Sequence, residues 1–448
     1  MKTITEQSRQ ISVTLDTDVL VVGGGPAGIS AAVAAAREGM RVAIVERTGC
    51  FGGNITQAMV ESISWYRHEK TVEAGGILFE METKAKEIGA VKKDPQSTGV
   101  LLDTELFKCV ADGMIKDARV TPLLHCYAVD AVMDGNTVGG VITESKSGRT
   151  AILAKRTIDA SGDADIAFYA KAECQHAPVP ELMEVTSNFA CADVDIKRFT
   201  SFLAQQHGKV ADWAKETGGK ENDLPLYWFN EAFNKAKDAG EVSPEAYLES
   251  WWPGGHTDSG DVTNLNAVHM RGIDPTNVLD ITKAEIEGRR LVMLALAALR
   301  KYMPGFEKAR LRNFGMSLGT RDSRKIVGVY CITGHNVRNE ARFEDSIGVC
   351  PEFLDAFGII VLPTTGRYFQ IPYASILPKT VENIVVAGRC VAGDRVSHAA
   401  TRNIVCCTAT GQAAGVAAAI SIAENAPFRR VNVPHLQRAL EKQGVRVK

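Results

Sequence analysis

Six consecutive residues, Gly23-Gly24-Gly25-Pro26-Ala27-Gly28, constrain this chain more than any others. They follow the apolar run Val19-Leu20-Val21-Val22 and precede the alanine-rich stretch Ile29–Glu38. That succession reads as a buried parallel strand, a tight turn that includes Pro26 and Ala27, and a helix. Such a turn presents unpaired N–H groups and the positive end of a helix to a pyrophosphate. Gly23 permits the turn, Gly25 lets phosphate approach the backbone, and Gly28 lets helix and strand pack closely. A second strand, Arg41–Val45, ends at Glu46, eighteen residues beyond Gly28. Its carboxylate can accept both ribose hydroxyl protons and would repel a 2′-phosphate. A dinucleotide site is the expectation.

Directly after Glu46 the chain reads Arg47-Thr48-Gly49-Cys50-Phe51-Gly52-Gly53-Asn54, a second glycine pair. Here the sequence resembles the glutathione-reductase-like superfamily of FAD-binding proteins. Within it, the FAD-dependent oxidoreductases related to the fumarate reductase flavoproteins are most similar. The resemblance implies FAD as cofactor, with Arg47 next to the ribose acid and Gly52, Gly53 and Asn54 along the pyrophosphate. It places a third strand at Arg119–Leu124, whose Val120 would give its backbone to the adenine. Disulfide reductases of the superfamily carry a cysteine pair in the helix after these glycines. Asn54–Met59 has none, so that branch is excluded, and Cys50 reads as a packed small hydrophobe.

Cys126–Val132, Thr137–Glu144 and Arg149–Ile158 are strand-like runs separated by two hairpin turns, Asp134-Gly135-Asn136 and Lys146-Ser147-Gly148. They resemble the three-stranded meander of this FAD fold, and Ala160, Gly162 and Asp163 match the element that returns the chain to the cofactor. Near residue 380 the nucleotide fold resumes. Val381–Arg389 is a strand ending in a turn at Gly388, and Thr401–Ser421 is a helix rich in alanine and glycine. By resemblance its amino end, at Asn403 and Ile404, points at the pyrimidine ring of the flavin. Arg389 stands where disulfide reductases carry an acid.

The fold class that follows is α/β: a Rossmann-like FAD-binding domain with a meander insertion, plus a second, α+β substrate domain. Residues 1–172 and 373–448 are expected to form the first, and residues 173–372 the second. Within the latter, Thr282-Lys283-Ala284-Glu285 predicts a capping box opening a helix that runs to Tyr302, and Arg324–Ile332 predicts a strand.

Residues for the chemistry are sought where the flavin would lie. Arg402 is expected in the first turn of the last helix, as a cation offsetting charge on a reduced flavin. His398, on the turn before it, is the candidate proton donor or acceptor. Arg321 and Arg324 flank Asp322 and suit either an anionic substrate or an interdomain clamp. His335 and Tyr368 are weaker candidates for the cleft wall. Trp251-Trp252-Pro253 reads as a packed aromatic loop, and no metal-ligand spacing is evident around His256 and His269.

Composition decides the partners. With 51 basic and 53 acidic residues the chain is near neutral, which argues against nucleic acid as an obligatory partner. No uninterrupted apolar run approaches the roughly 20 residues a membrane span needs. The ten scattered cysteines form no CxxC and read as reduced thiols of a cytoplasmic protein. The expectation is an FAD-dependent oxidoreductase that moves a hydride between flavin N5 and a small polar or anionic substrate. A transient NAD(P)H or another electron carrier is a further partner, and homo-oligomer formation is left open. A flavin monooxygenase and a non-catalytic FAD-binding protein are the alternatives.

Overall fold

Strands made of valine, isoleucine and leucine, buried on both faces, build the centre of the molecule. The computed structural model describes residues 2–63, 73–93, 100–205, 228–250, 254–356, 359–361 and 367–448. β1 (Ser12–Val22) leads through the glycine turn into α1 (Pro26–Arg37) and on to β2 (Val42–Val45). After the short α2 (Asn54–Gln57) come α3 (Ile77–Glu87) and α4 (Thr104–Asp117), the latter capped by the Asp103 carboxylate. β3 (Thr121–Leu123) completes the parallel part on one side, pairing with β2 as β2 pairs with β1.

The meander follows as β4 (Tyr127–Asp134), β5 (Thr137–Ser145) and β6 (Gly148–Asp159). Its third strand is shared with the main sheet. β6 is antiparallel to β5 over its first half and parallel to β1 along nearly its whole length, giving the order β3-β2-β1-β6-β5-β4. The meander is thus continuous with the parallel sheet and not a separate layer beside it. Ile384–Val386 pairs with the carboxyl end of β6, beyond the point where β5 leaves it. The last part of the chain therefore closes the same sheet.

The middle of the chain has its own core. β7 (Phe189–Ala192), β8 (Gly255–His256), β9 (Val262–Leu265), α5 (Val278–Tyr302) and β10 (Arg310–Phe314) surround buried residues that run from Val185 to Leu318. β7, β9 and β10 form one antiparallel sheet with β8 at its edge. From Ile326 onward the buried residues join the first core, so the stretch up to Pro372 packs with the nucleotide fold. α5 begins at Val278 because Asn277 caps it, and Thr282 turns its hydroxyl back to the Val278 carbonyl at 2.7 Å. The capping box predicted at Thr282 is therefore inside the helix. The predicted strand Arg324–Ile332 shrinks to Lys325–Ile326, because Val327, Val329 and Tyr330 give their N–H groups to Glu173, Leu377 and Ala374. Trp251-Trp252-Pro253 lies outside the described residues.

Near the carboxyl end lie α6 (Arg395–Thr401) and α7 (Ile404–Ala423), followed by α8 (Val433–Lys442), which Asn432 caps. By length and composition α7 could cross a membrane, but 94% of its apolar window is buried inside the protein, as in a core helix.

Candidate functional site

The carboxyl ends of β1, β2 and β6 and the amino ends of α1 and α7 meet at one edge of the sheet. α1 starts after Gly25 with Pro26 in its first turn, no side-chain cap and no acid. Its amino end is thus left for an anion. A β-carbon on Gly28 would sit 1.7 Å from the Gly23 carbonyl oxygen, and one on Gly53 would come within 2.8 Å of the Gly25 α-carbon. Only glycines allow this approach of the two loops. The Gly52 N–H fixes it by donating to the Gly24 carbonyl at 2.8 Å. Glu46 ends β2 with one oxygen accepting the Gly24 N–H at 2.7 Å and the other accepting the Thr48 N–H at 2.8 Å. Oε1 also lies 2.8 Å from the Thr48 hydroxyl, so Oε2 is the oxygen that keeps a lone pair for a ribose hydroxyl. Arg47 is exposed beside it.

The Ala160 N–H bonds to the Val22 carbonyl at 2.8 Å, aligning the element that contains Gly162 and Asp163 with the glycine turn. Asp163 accepts from Arg389 Nη2 at 3.1 Å and from the Ser323 hydroxyl at 2.5 Å. Arg389, in the turn at Gly388, is thereby paired with an acid from just beyond β6. Nη1 of Arg389 is buried without a partner. At α7, Asn403 turns its amide back to the Ala399 and Ala400 carbonyls and does not cap the helix, so the N–H groups at Ile404 and just beyond are also uncapped. A glycine-lined turn, a ribose acid and two uncapped helix ends suit FAD.

One cofactor expectation needs correction. Val120 stands before β3, away from the carboxyl edge, and its N–H already donates to Ile115 at 3.1 Å. The backbone that reaches the Glu46 loop is His125 and Cys126, bonded to Thr48 and Glu46 at 3.0 Å each. The strand was legible, but its hydrogen-bonded neighbours were not.

The catalytic candidates separate into three groups. Arg324 is a clamp: Nε bonds the Asp163 carbonyl at 3.1 Å, Nη2 meets Asp165 at 2.5 Å, and the guanidinium lies 4.3 Å from the centre of the Phe168 ring. His335 is exposed and bonded to Asn339, and Tyr368 carries Arg342 over its ring at 3.7 Å. His335 is thus at the surface, whereas Tyr368 is half-buried against the first core. His398 is inside α6, not on a turn, and is 1% exposed, with Nε2 held 3.0 Å from the Arg321 carbonyl. It is poorly suited to exchange protons with substrate.

Arg402 and Arg321 do come together. Arg402 follows α6 as its cap and is not in the first turn of α7. It donates to the Asp355 carbonyl at 2.5 Å and to the carboxylate at 2.9 Å. Arg321 has no hydrogen bond or ion pair with its side chain among the described residues, yet its charge acts on Arg402, Asp355 and His269. Burial would raise the Asp355 carboxyl, but Arg402 and Arg321 hold it below its usual range. Its side chain keeps 35% of its surface open. Burial, helped by Arg321, lowers His269 to about 3, so this imidazole is neutral. Two arginines, one carboxylate and a neutral histidine leave an excess of one positive charge. Sequence reasoning missed Asp355 and gave His269 only a passing role as a metal candidate. Neither has a local motif: Asp355 comes from a short strand paired with Ile359–Val361, and His269 from a two-residue strand paired with Val185–Thr186.

The family comparison agrees with the geometry. Residues 18–440 match the model of the FAD dependent oxidoreductase family, and the chain belongs to that family. It is an oxidoreductase, and FAD is its cofactor. Among curated relatives, 156 residues are 31% identical to the NADH:fumarate oxidoreductase of Klebsiella pneumoniae, covering 33% of this chain and 16% of that protein. Seventy residues are 43% identical to the NADH dehydrogenase of Bacillus subtilis, covering 16% of this chain and 13% of that one. The matches thus span less than a fifth of these relatives. Among solved structures, a geranylgeranyl bacteriochlorophyll reductase-like protein from Thermoplasma acidophilum is 14% identical, with a TM-score of 0.48 over 96% of this chain and 83% of that one. An anhydrotetracycline hydroxylase from Streptomyces rimosus is 13% identical, with a TM-score of 0.43 over 96% of this chain and 65% of that one.

Proposed function

We propose that the chain catalyses a flavin-dependent oxidation or reduction at a C–C or C–O centre of a small organic anion, with Arg321 as the anchor for the anionic group. The observation that carries this reading is the unpaired Arg321 guanidinium beside an already neutralised Arg402–Asp355 pair. A carboxylate entering there gains a fixed, two-pronged donor. Neutral His269 adds no competing charge. When bound, FAD supplies the two-electron redox centre. The chain's own part is to hold the anion, exclude bulk water and set the local potential through Arg402 and the uncapped end of α7. A nicotinamide donor or another electron carrier would then use the same cleft in turn. The ten free cysteines suit a reducing compartment such as the cytoplasm.

Anaerobic reaction of the purified holoenzyme with a panel of small carboxylates, followed by flavin absorbance, tests the reading. Bleaching or re-oxidation by carboxylates, lost in Arg321→Met, supports it. Turnover that consumes O₂ and inserts its oxygen into product replaces it with the second reading, a flavin monooxygenase.

A further inference from the structure

Between β10 and Lys325 the chain forms no regular element, yet each residue from Thr320 to Arg324 is tied to a distant part of the fold or to a neighbour. Asn54 Nδ2 donates to the Thr320 carbonyl at 3.0 Å, Ser323 donates to Asp163, and Arg324 clamps Asp163 and Asp165. The Arg321 carbonyl receives His398, and the Asp322 carboxylate receives Lys325 Nζ at 2.6 Å. Of the ionisable side chains in this run, it is that of Arg321 that keeps no such bond among the described residues.

Three ionisable groups are sealed behind it. The side chains of His398, Asp322 and Lys325 are 1%, 3% and 7% exposed. A carbonyl oxygen only accepts, so the ring nitrogen facing Arg321 must carry the proton, and Nδ1 carries the lone pair. Nδ1 is itself buried without a partner. Nε2 is therefore committed to the backbone. The second oxygen-bearing neighbour of Nε2, Asp322 Oδ1 at 3.3 Å, is shared with Lys325 and completes the triad.

We propose that His398 is a positioning residue. With the Asp322–Lys325 pair it pins the backbone from which the Arg321 guanidinium projects, so that an irregular segment presents this cation in one orientation. This rests on the reading of Arg321 as the anion anchor. Fixing the backbone before binding removes part of the ordering cost that a long side chain on a loose loop would otherwise incur.

The test uses the FAD-loaded enzyme and malonate as probe, with binding read from the flavin difference spectrum. His398→Leu removes the donor and should weaken malonate about tenfold, as loss of one hydrogen bond implies, with flavin content unchanged. His398→Gln places an amide N–H near the position of Nε2 and should stay within about twofold of wild type. Should the leucine variant fail to fold, His398→Asn takes its place, because its shorter amide misses the carbonyl while keeping a polar group. Equal malonate affinity in the leucine or asparagine variant and wild type overturns the proposal. So does a glutamine variant with unchanged malonate affinity but lost turnover, which would make the ring itself catalytic. Undiminished malonate binding in Arg321→Met, or none in wild type, instead removes the anchor reading, so the two failures are distinguishable.

Discussion

The α-carbon of Gly411 in α7 faces Ala27 in α1 so closely that a β-carbon would lie 2.1 Å from the Ala27 carbonyl oxygen. One turn later, a β-carbon on Gly415 would lie 2.2 Å from the Ala31 carbonyl. α7, near the carboxyl end, thus rests backbone against backbone on α1, the helix that follows the glycine turn. Cofactor geometry at one end of the sequence depends on packing from the other.

Gly411→Ala should therefore force the two helices apart, lowering stability by about 1–3 kcal/mol as overpacked core sites do, and loosening FAD. Gly113 gives the control. It is inside α4 with nothing within 4 Å of a β-carbon. Gly113→Ala should stabilise by roughly 0.5–1 kcal/mol. Urea denaturation and FAD release, measured on both, check the contrast; equal behaviour would refute the contact argument.

Arg324→Met removes a guanidinium that is 14% exposed and leaves Asp165 without its ion-pair partner. Breaking a mostly buried pair from one side costs about 3–5 kcal/mol. Burial and the nearby Asp163, however, push the Asp165 carboxyl up to about 7, so it can take a proton and hold the cost to about 3 kcal/mol or less. A loss near that size is expected, while anion affinity stays close to wild type. Arg321→Met should do the reverse, with little change in stability and a large loss of anion binding. Denaturation midpoints and malonate titrations of the two variants give the comparison, and a swap of the two patterns would exchange the roles assigned here.

How much of this was legible depended on whether the signal was local. The strand, glycine turn and Glu46 lie within 30 residues of one another, and each constrains its own backbone, so the nucleotide edge could be read directly. Gly411 and Gly415 advertised a close helix contact but not its partner. The arginine pair at 321 and 324 looked like one motif. Its split into a clamp at 324 and an unbonded side chain at 321 was set by Asp163 and Asp165 from the nucleotide fold, which no spacing in the middle segment encodes. His398 was misplaced because Asp394, whose side chain accepts the Ser397 N–H at 2.7 Å, starts a separate short helix there. Asp355 reaches Arg402 from a hairpin 47 residues away in sequence.

The Arg402–Asp355 pair makes opposite predictions for its two members. If the pair faces the redox centre as proposed, Arg402→Met removes a cation and should make the flavin harder to reduce. Asp355→Asn unmasks that cation and should make reduction easier. A helix-end charge contributes roughly 1–2 kcal/mol in favourable partly buried geometry, equivalent to about 20–40 mV for a two-electron couple. Spectroelectrochemical titration of both variants decides. Shifts of the same sign would mean that the changes act through packing and not through charge.

Glu61 gives the protein a pH dependence of its own. It is 1% exposed, accepts the Thr263 hydroxyl at 2.7 Å, and has Lys92 at 3.5 Å, so it joins the nucleotide fold to β9. Burial raises its carboxyl to about 7 from 4.5, although Lys92 and the Thr263 bond oppose the shift. The folded state then binds a proton between pH 4.5 and 7 that the unfolded chain has released, so the unfolded state binds fewer protons there. Stability contributed by this group is consequently full below pH 4.5 and falls as pH rises to 7, by about 3 kcal/mol in all. Glu61→Gln keeps an acceptor for Thr263 while remaining neutral, and should remove this slope. The variant should match wild type near pH 4.5 and exceed it in stability above pH 7. His269 and His398, each held near 3, impose the opposite slope on both proteins between pH 3 and 6.5, so the difference between the two curves isolates Glu61. Urea unfolding at half-unit steps from pH 4.5 to 8 measures it, and parallel curves for variant and wild type would show that Glu61 is ionised throughout.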